Sequence, residues 1–392
     1  FEKFYSNPDD VIQSTYQLGM ANSISSIFIA LVSPFLGAIA DRGSAKKKLL
    51  ITFAFLGVLM TAALWFVEQG EWQLAVFFYV IATIGFMAGN IFYDSLLPAV
   101  ASRERIDYVS ALGYSLGYLG GGLLFLVNVL MYLHPDWFGI PDSSTAIRIS
   151  FLSVAIWWAV FTLPIIIFLP EPKSSNSVPL SKAIFSGIRQ LKETYDNIRQ
   201  MKIIGTFLVA FWLYEDGVAT IVRMAGKIAS SLGFAAGDII TAILMVQFIG
   251  FPAALLYNWF AKKIGIKNAV LVAIAGYGII TLLGYLMTDI IHFYILAALI
   301  GIFQGGIQSL SRSLFTRLVP KNKEAEFFGF YNMLGKFAAV IGPILVGWIT
   351  VMTGNPRTGI LSIVVLFILG GLLLMRVDFE AGEKIAADFG KK

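Results

Sequence analysis

The sequence predicts an all-α protein that crosses a membrane many times, and three observations predict it. Eleven apolar stretches each approach the roughly 20 residues that a bilayer-spanning helix needs. Lys and Arg cluster in alternate connections between those stretches. Hydrophobic residues make up 57% of the 392 and charged residues 14%, whereas a soluble domain carries about 25% charge. The mean hydropathy is +0.78.

In chain order the expected spans are 16–40, 49–67, 73–98, 108–133, 148–169, 203–224, 238–260, 268–288, 291–316, 327–351 and 358–375. The connections 41–48, 99–107, 171–202, 261–267 and 317–326, with the tail 376–392, hold 22 of the 29 Lys and Arg residues. Basic residues stay on the cytoplasmic side, so these connections and the C-terminus are expected inside, in the inner membrane of a bacterium. Phe1 then falls outside. An odd count of spans with an outside start, and no signal peptide ahead of Phe1, leads to the expectation that a first span is absent from this chain. The parent would have twelve spans in two sets of six, and a true eleven-span protein is the alternative.

Composition narrows the function. The pI near 9.1 reflects basic loops beside anionic headgroups rather than nucleic acid. There is no Cys and there are only two His, His134 and His292. Thiolate metal sites, disulfides and Cys nucleophiles are excluded, and no phosphate-binding fingerprint occurs in a strand-to-helix context. Neither an enzyme nor a cofactor is expected.

The expected organisation is a front half (1–169), a linker (170–202), a back half (203–376) and a cytoplasmic tail (377–392). The linker opens Pro170-Glu171-Pro172-Lys173-Ser174-Ser175 and continues with Leu180, Ile184, Phe185, Ile188, Leu191, Tyr195 and Ile198 at helical spacing. Interleaved Lys182, Arg189, Lys192 and Arg199 make this read as a helix on the inner membrane surface. The halves look like distant copies. The span around Asn90–Leu97 matches the one around Leu310–Phe315, which sets Asp94 opposite Arg312. Two six-span halves related by an axis along the membrane normal are the architecture of major facilitator transporters.

The first span ends Gly37-Ala38-Ile39-Ala40-Asp41-Arg42-Gly43, followed by Lys46-Lys47-Lys48. It resembles the major facilitator loop signature G-x-x-x-D-R-x-G-R/K-R/K. Gly37 lets a neighbouring helix approach closely, and Asp41 suits the positive N-terminus of a back-half helix. With Arg42 they are expected to form a gate; a plain turn with inside-retained lysines is the other reading. Lys262 stands where the back-half copy would carry its acid. The run Gly113, Gly117, Gly120, Gly121, Gly122 offers a smooth packing face. It also resembles the glycine motif of drug antiporters, with Tyr118 in place of its proline.

Charges inside a membrane span are costly and default to functional hypotheses. Glu215 and Asp216 lie about 12 residues into their span, near the midplane, yet adjacent helical residues point about 100° apart. One acid is expected to face a cavity, binding solute or carrying a proton, and the other a helix interface. Lys336 is expected to bind a carboxylate or neutralise an acid. Asp94 and Arg312 are expected to pair and close the inner gate. Asn90, Tyr114, Trp212, Tyr214, Gln247 and Gln304 are candidate lining residues, although such groups also serve as interhelical hydrogen bonds. Pro34, Pro252 and Pro343 are expected kinks.

Phe92–Pro98, Ser110–Gly122, Tyr214-Glu215-Asp216-Gly217-Val218 and Phe327–Ala339 together are similar to the vacuole-effluxer-like branch of the superfamily, named for autophagy-related fungal permeases. The resemblance runs over about residues 16–378. It implies twelve spans, in keeping with the absent first one. Solute transport by alternating access is expected, with a small-molecule substrate and action as a monomer in a lipid bilayer. Glu215 and Asp216 point to proton coupling, with Na⁺ coupling or uncoupled exchange as the alternatives. In fungi the family is associated with amino-acid efflux. Glu215 departs from the amide expected before Asp216. An exporter of lipids or amphipathic drugs and a non-transporting receptor are the alternatives.

Overall fold

The computed structural model describes residues 11–173, 178–179, 182–183, 201–338 and 340–389. Among these, eleven helical stretches are long and apolar enough to cross a membrane. The helices are α1 (Val11–Gly43), α2 (Lys46–Ala63), α3 (Trp72–Ser95), the short α4 (Leu97–Val100), α5 (Ile106–Leu133), α6 (Ser143–Phe168), α7 (Lys202–Ser231), α8 (Ala236–Ile264), α9 (Ile266–Tyr285), α10 (Ile290–Leu318), α11 (Glu324–Phe337), α12 (Ile341–Thr353), α13 (Pro356–Leu361), α14 (Val364–Met375) and α15 (Phe379–Phe389). The surface helix expected over 180–199 lies outside the described residues, apart from Lys182 and Ala183.

All eleven expected spans are helical, and the differences have local causes. α6 starts five residues early because the Asp142 carboxylate accepts the Thr145 N–H at 2.8 Å and caps the helix. Arg148, which marks the outer end of that span in the sequence, is helical. It donates to the Trp65 carbonyl and lies over the Trp65 ring. α7 continues past Arg223 to Ser231. The tenth span is two helices, α11 and α12, and the eleventh is α13 and α14. Pro343 therefore stands in the first turn of α12, where the missing N–H costs nothing, instead of kinking a continuous helix. Pro34 and Pro252 lie inside α1 and α8, and Pro164 lies inside α6. The tail forms α15.

The chain forms two compact units. The first comprises residues 1–96, 123–192 and 322–336. In it α2 packs on α3 and α6, and α1 on α3. Its core is Ala40, Leu50, Phe92, Leu96 and Ala325. Glu171 accepts the N–H groups of Lys47 and Lys48, both at 2.9 Å, and so caps α2. The second unit comprises 97–122, 193–321 and 337–392. There α8 packs on α10, α7 on α14, and α9 on both α10 and α14. Each unit thus contains a back-half and a front-half segment: 322–336 sits in the first, and 97–122 in the second.

Candidate functional site

In the first unit, the start of α11 lies against the end of α1 in an antiparallel seam. Two glycines make the approach possible. A Cβ on Gly37 would strike the Ala325 carbonyl, and a Cβ on Gly329 would meet the Ser33 carbonyl and Pro34 Cα. Beyond these notches the Asp41 carboxylate accepts the N–H groups of Ala325 at 3.2 Å and Glu326 at 2.7 Å. It thereby satisfies two donors at the positive end of α11. Lys46 bridges Asp41 at 2.8 Å and Glu324 at 2.6 Å. Asp41 is 3% exposed, so this charge cluster is buried, paired and hydrogen-bonded. Farther along α11, the Asn332 amide donates to Asp94 at 3.1 Å. Arg42 is half-buried, and its carbonyl accepts the Val178 N–H. Asn90 is half-buried and lines a pocket of about 170 Å³ with Tyr93, Trp158 and Thr162. Lys336 is half-buried near the end of α11.

In the second unit, the start of α5 lies against α8 and α10 in a second seam, built mainly from side-chain hydrogen bonds. Ser110 donates to the Ser309 carbonyl at 2.7 Å. Arg312 donates to the hydroxyl and the carbonyl of Ser110, both at 3.0 Å, and its guanidinium carbon lies 4.6 Å from the centre of the Tyr114 ring. Asp107 accepts from Ser313 at 2.6 Å and pairs with Arg317 at 2.7 Å. Glu383 on α15 bridges Arg103 and Arg317. Deeper in the span, Ser115 donates to the Phe251 carbonyl and Tyr118 to Gln308.

The two midspan acids have separate roles in the geometry. Asp216, fully buried, accepts the N–H groups of Ile341 at 2.9 Å and Gly342 at 2.8 Å, and the Thr220 hydroxyl. It caps the N-terminus of α12, which explains why the tenth span breaks there. Glu215 is half-buried and within electrostatic reach of the phenols of Tyr118, Tyr214 and Tyr277. Tyr214 is committed to Ser311 at 2.7 Å. By contrast, the Trp212 indole N–H, one turn before Glu215, and the Tyr277 hydroxyl are buried without a hydrogen-bond partner. Gln247 and Gln304 line a cavity of about 280 Å³ walled by α7, α8, α9 and α10.

The structure therefore brings Trp212 and Glu215 together on one helix face of the second unit, with Tyr277 nearby. It sets Gln247 and Gln304 on an apolar cavity. Gly37 and Asp41 share the first seam, while Tyr114 and Arg312 belong to the second. Asp94 and Arg312 fall in different units, and each has a partner in its own. Sequence reasoning missed Gly329, Ser110, Asp107, Arg317, Glu383 and Tyr277. Gly329 and Ser110 carried a signal, as small residues within the Phe327–Ala339 and Ser110–Gly122 motifs.

The chain matches the family described as vacuole effluxer Atg22 like over residues 12–387. The MFS-type transporter YxiO of Bacillus subtilis (strain 168) is 36% identical over 375 residues, which cover 95% of this chain and 87% of that protein. Autophagy-related protein 22 of Yarrowia lipolytica is 24% identical over 454 residues, covering 93% and 76%. Among solved structures, the MFS proton:xylose symporter XylE aligns with a TM-score of 0.73 at 13% identity, over 96% of this chain and 89% of that one. The E. coli fucose:proton symporter FucP aligns with a TM-score of 0.68 at 14% identity, over 93% and 92%. These likenesses establish the fold, and the relatives are transporters rather than enzymes. The chain is a multi-pass membrane transporter of the major facilitator superfamily and belongs to the vacuole effluxer Atg22-like family.

Proposed function

We propose that the protein exports a small polar solute, with amino acids the leading class, by proton-coupled alternating access, and that Glu215 is the coupling acid. One observation carries this reading. A half-buried carboxylate sits at mid-depth with the buried, unpartnered Trp212 N–H and Tyr277 hydroxyl in the same unit. Unpaired buried polar groups are costly and call for a partner, which a polar solute supplies. Carboxyls within membrane spans also recur in proton relays. Asp216 is spent on α12, so the solute and proton roles go to Glu215. Lys336 and Asn90 in the first unit, and Tyr114 in the second, are proposed as further solute-contacting residues.

Both seams join a front-half helix to a back-half helix near the basic connections. Rocking of one half against the other requires them to part. Gly37, Asp41, Arg42, Asp94 and Arg312 are accordingly proposed as gate residues of the inward-closed state, with the basic connections and C-terminus cytoplasmic in a bacterial inner membrane. Export is favoured by the family description, and the protein is proposed to work as a monomer.

The test is flux of labelled amino acids in proteoliposomes under an imposed pH gradient, with Glu215→Gln and Asp216→Asn compared. The expected result is loss of pH-driven flux in a folded Glu215→Gln protein, and loss of stability in Asp216→Asn. Undiminished pH-driven flux in Glu215→Gln overturns the assignment. A charge swap of Asp94 and Arg312 tests their pairing: a double variant no better than either single one argues against it.

A further inference from the structure

The cavity in the second unit has a chemistry that a small polar solute does not use. Its walls are almost wholly apolar, with Ile221, Ile239, Val246 and Ile300 among them. At about 280 Å³ it lies near the lower bound for small-molecule pockets. That is about twice the volume of an engineered apolar cavity that binds benzene. Three polar side chains reach it. Thr281 already donates to the Tyr277 carbonyl. The Gln247 amide nitrogen is turned toward α5, 3.2 Å from where a Cβ on Gly121 would stand. The Gln304 amide oxygen is buried and has no hydrogen-bond partner. A water there would want two to four polar partners, which these walls do not offer.

Gln304 lies midway along α10, whereas Met287 and Phe293 line the cavity close to the α9–α10 connection. The acceptor is thus deep, and the apolar space extends from it toward one end of the helices. Val222 and Ile243, both exposed, form part of the wall.

We propose that this cavity binds a single-chain amphiphile of about ten carbons, whose hydrogen-bond-donating head sits on Gln304 and whose chain lies among the isoleucines of α7, α8 and α10. The volume excludes a two-chain phospholipid. A fully apolar chain leaves the amide oxygen unsatisfied, so the head must donate. The site is separate from Glu215 and does not depend on the proposed proton coupling.

The test uses the full chain in lipid nanodiscs and a decanol bearing a diazirine on its chain, with labelled residues mapped by mass spectrometry. Labelling is expected on α7–α10 cavity residues such as Met224 and Met287. Unlabelled decanol should compete at least about tenfold better than decane. Gln304→Leu should erase that preference, and the cavity-filling Ala242→Phe should cut labelling at least about tenfold. Ala297→Leu, a smaller filler, serves if Ala242→Phe does not fold. Equal competition by decane and decanol, or labelling that persists in a folded filler variant, overturns the proposal.

Discussion

The two seams join the same kinds of segment by different means. In the first, α11 meets α1 across two glycine notches where backbone touches backbone, and the Asp41 carboxylate closes the end of α11. In the second, α5 meets α8 and α10 through side chains: Ser110 with Arg312, Asp107 with Ser313 and Arg317, and Tyr118 with Gln308. The glycines between α5 and α8 in the second seam face side chains rather than backbone: a Cβ on Gly250 would meet the Tyr118 ring, and Cβ atoms on Gly121 and Gly122 would meet Gln247. Asp94 and Arg312, matched in the sequence alignment of the halves, each bond the segment crossing from the other half: Asn332 for Asp94 and Ser110 for Arg312. A repeated architecture therefore preserves where contacts form and lets their chemistry diverge. Lys262 in place of an acid is consistent with this, and Asp107 supplies the second seam's carboxylate from α5 itself.

The sharpest way to break the comparison is to add one methyl group. Gly37→Ala must move backbone and is expected to destabilise by about 3 kcal/mol, whereas Gly250→Ala meets a side chain that can shift and should cost about 1 kcal/mol. Thermal unfolding in detergent measures both, and equal losses would remove the distinction. Next, Asp41→Ala strands two helix N–H groups and a buried lysine contact, for about 2–3 kcal/mol. Ser110→Ala should cost about 1 kcal/mol, because Arg312 keeps the Ser110 carbonyl. Asp107→Asn loosens a partly exposed ion pair worth about 0.5–1 kcal/mol. Its effect should shrink in high salt, while that of Asp41→Ala should not.

The smallest effect lies outside both seams. Asp289 caps α10 by accepting the N–H groups of His292 and Ile291. The His292 N–H foremost holds its carboxyl below the usual range, and Thr145 does the same for Asp142. A lowered folded-state pKa means that the stabilisation is present above the unfolded value and is lost as pH falls through the folded one. Unfolding curves at pH 7 and pH 3 should therefore differ slightly less for Asp289→Asn than for the parent chain.

The spans and the Asp41 contact were legible because each rests on local information: an apolar run of known length, or an acid at the end of a glycine-bearing helix. That Glu215 and Asp216 have different surroundings was legible, since helical geometry separates adjacent side chains. Which acid went where was not, because the choice depends on α12, 125 residues away. The break between α11 and α12 was hidden for the same reason. Phe337 through Ile341 reads as continuous apolar sequence, and only a buried carboxylate from another helix makes a new N-terminus stable there. The place of Asp107 and Glu383 in one network with Arg317 likewise depends on long-range packing that no spacing encodes.

The central claim is that both seams part when the protein changes state. The chain has no cysteine, so spin labels can be placed without background. Lys47→Cys with Lys323→Cys flanks the first seam, and Ser102→Cys with Lys384→Cys flanks the second. Pulsed dipolar spectroscopy in nanodiscs should show a short and a long distance for each pair. Asp41→Ala should raise the long population of both pairs together. A single short distance at either seam, unchanged by Asp41→Ala while the other seam opens, would contradict the account.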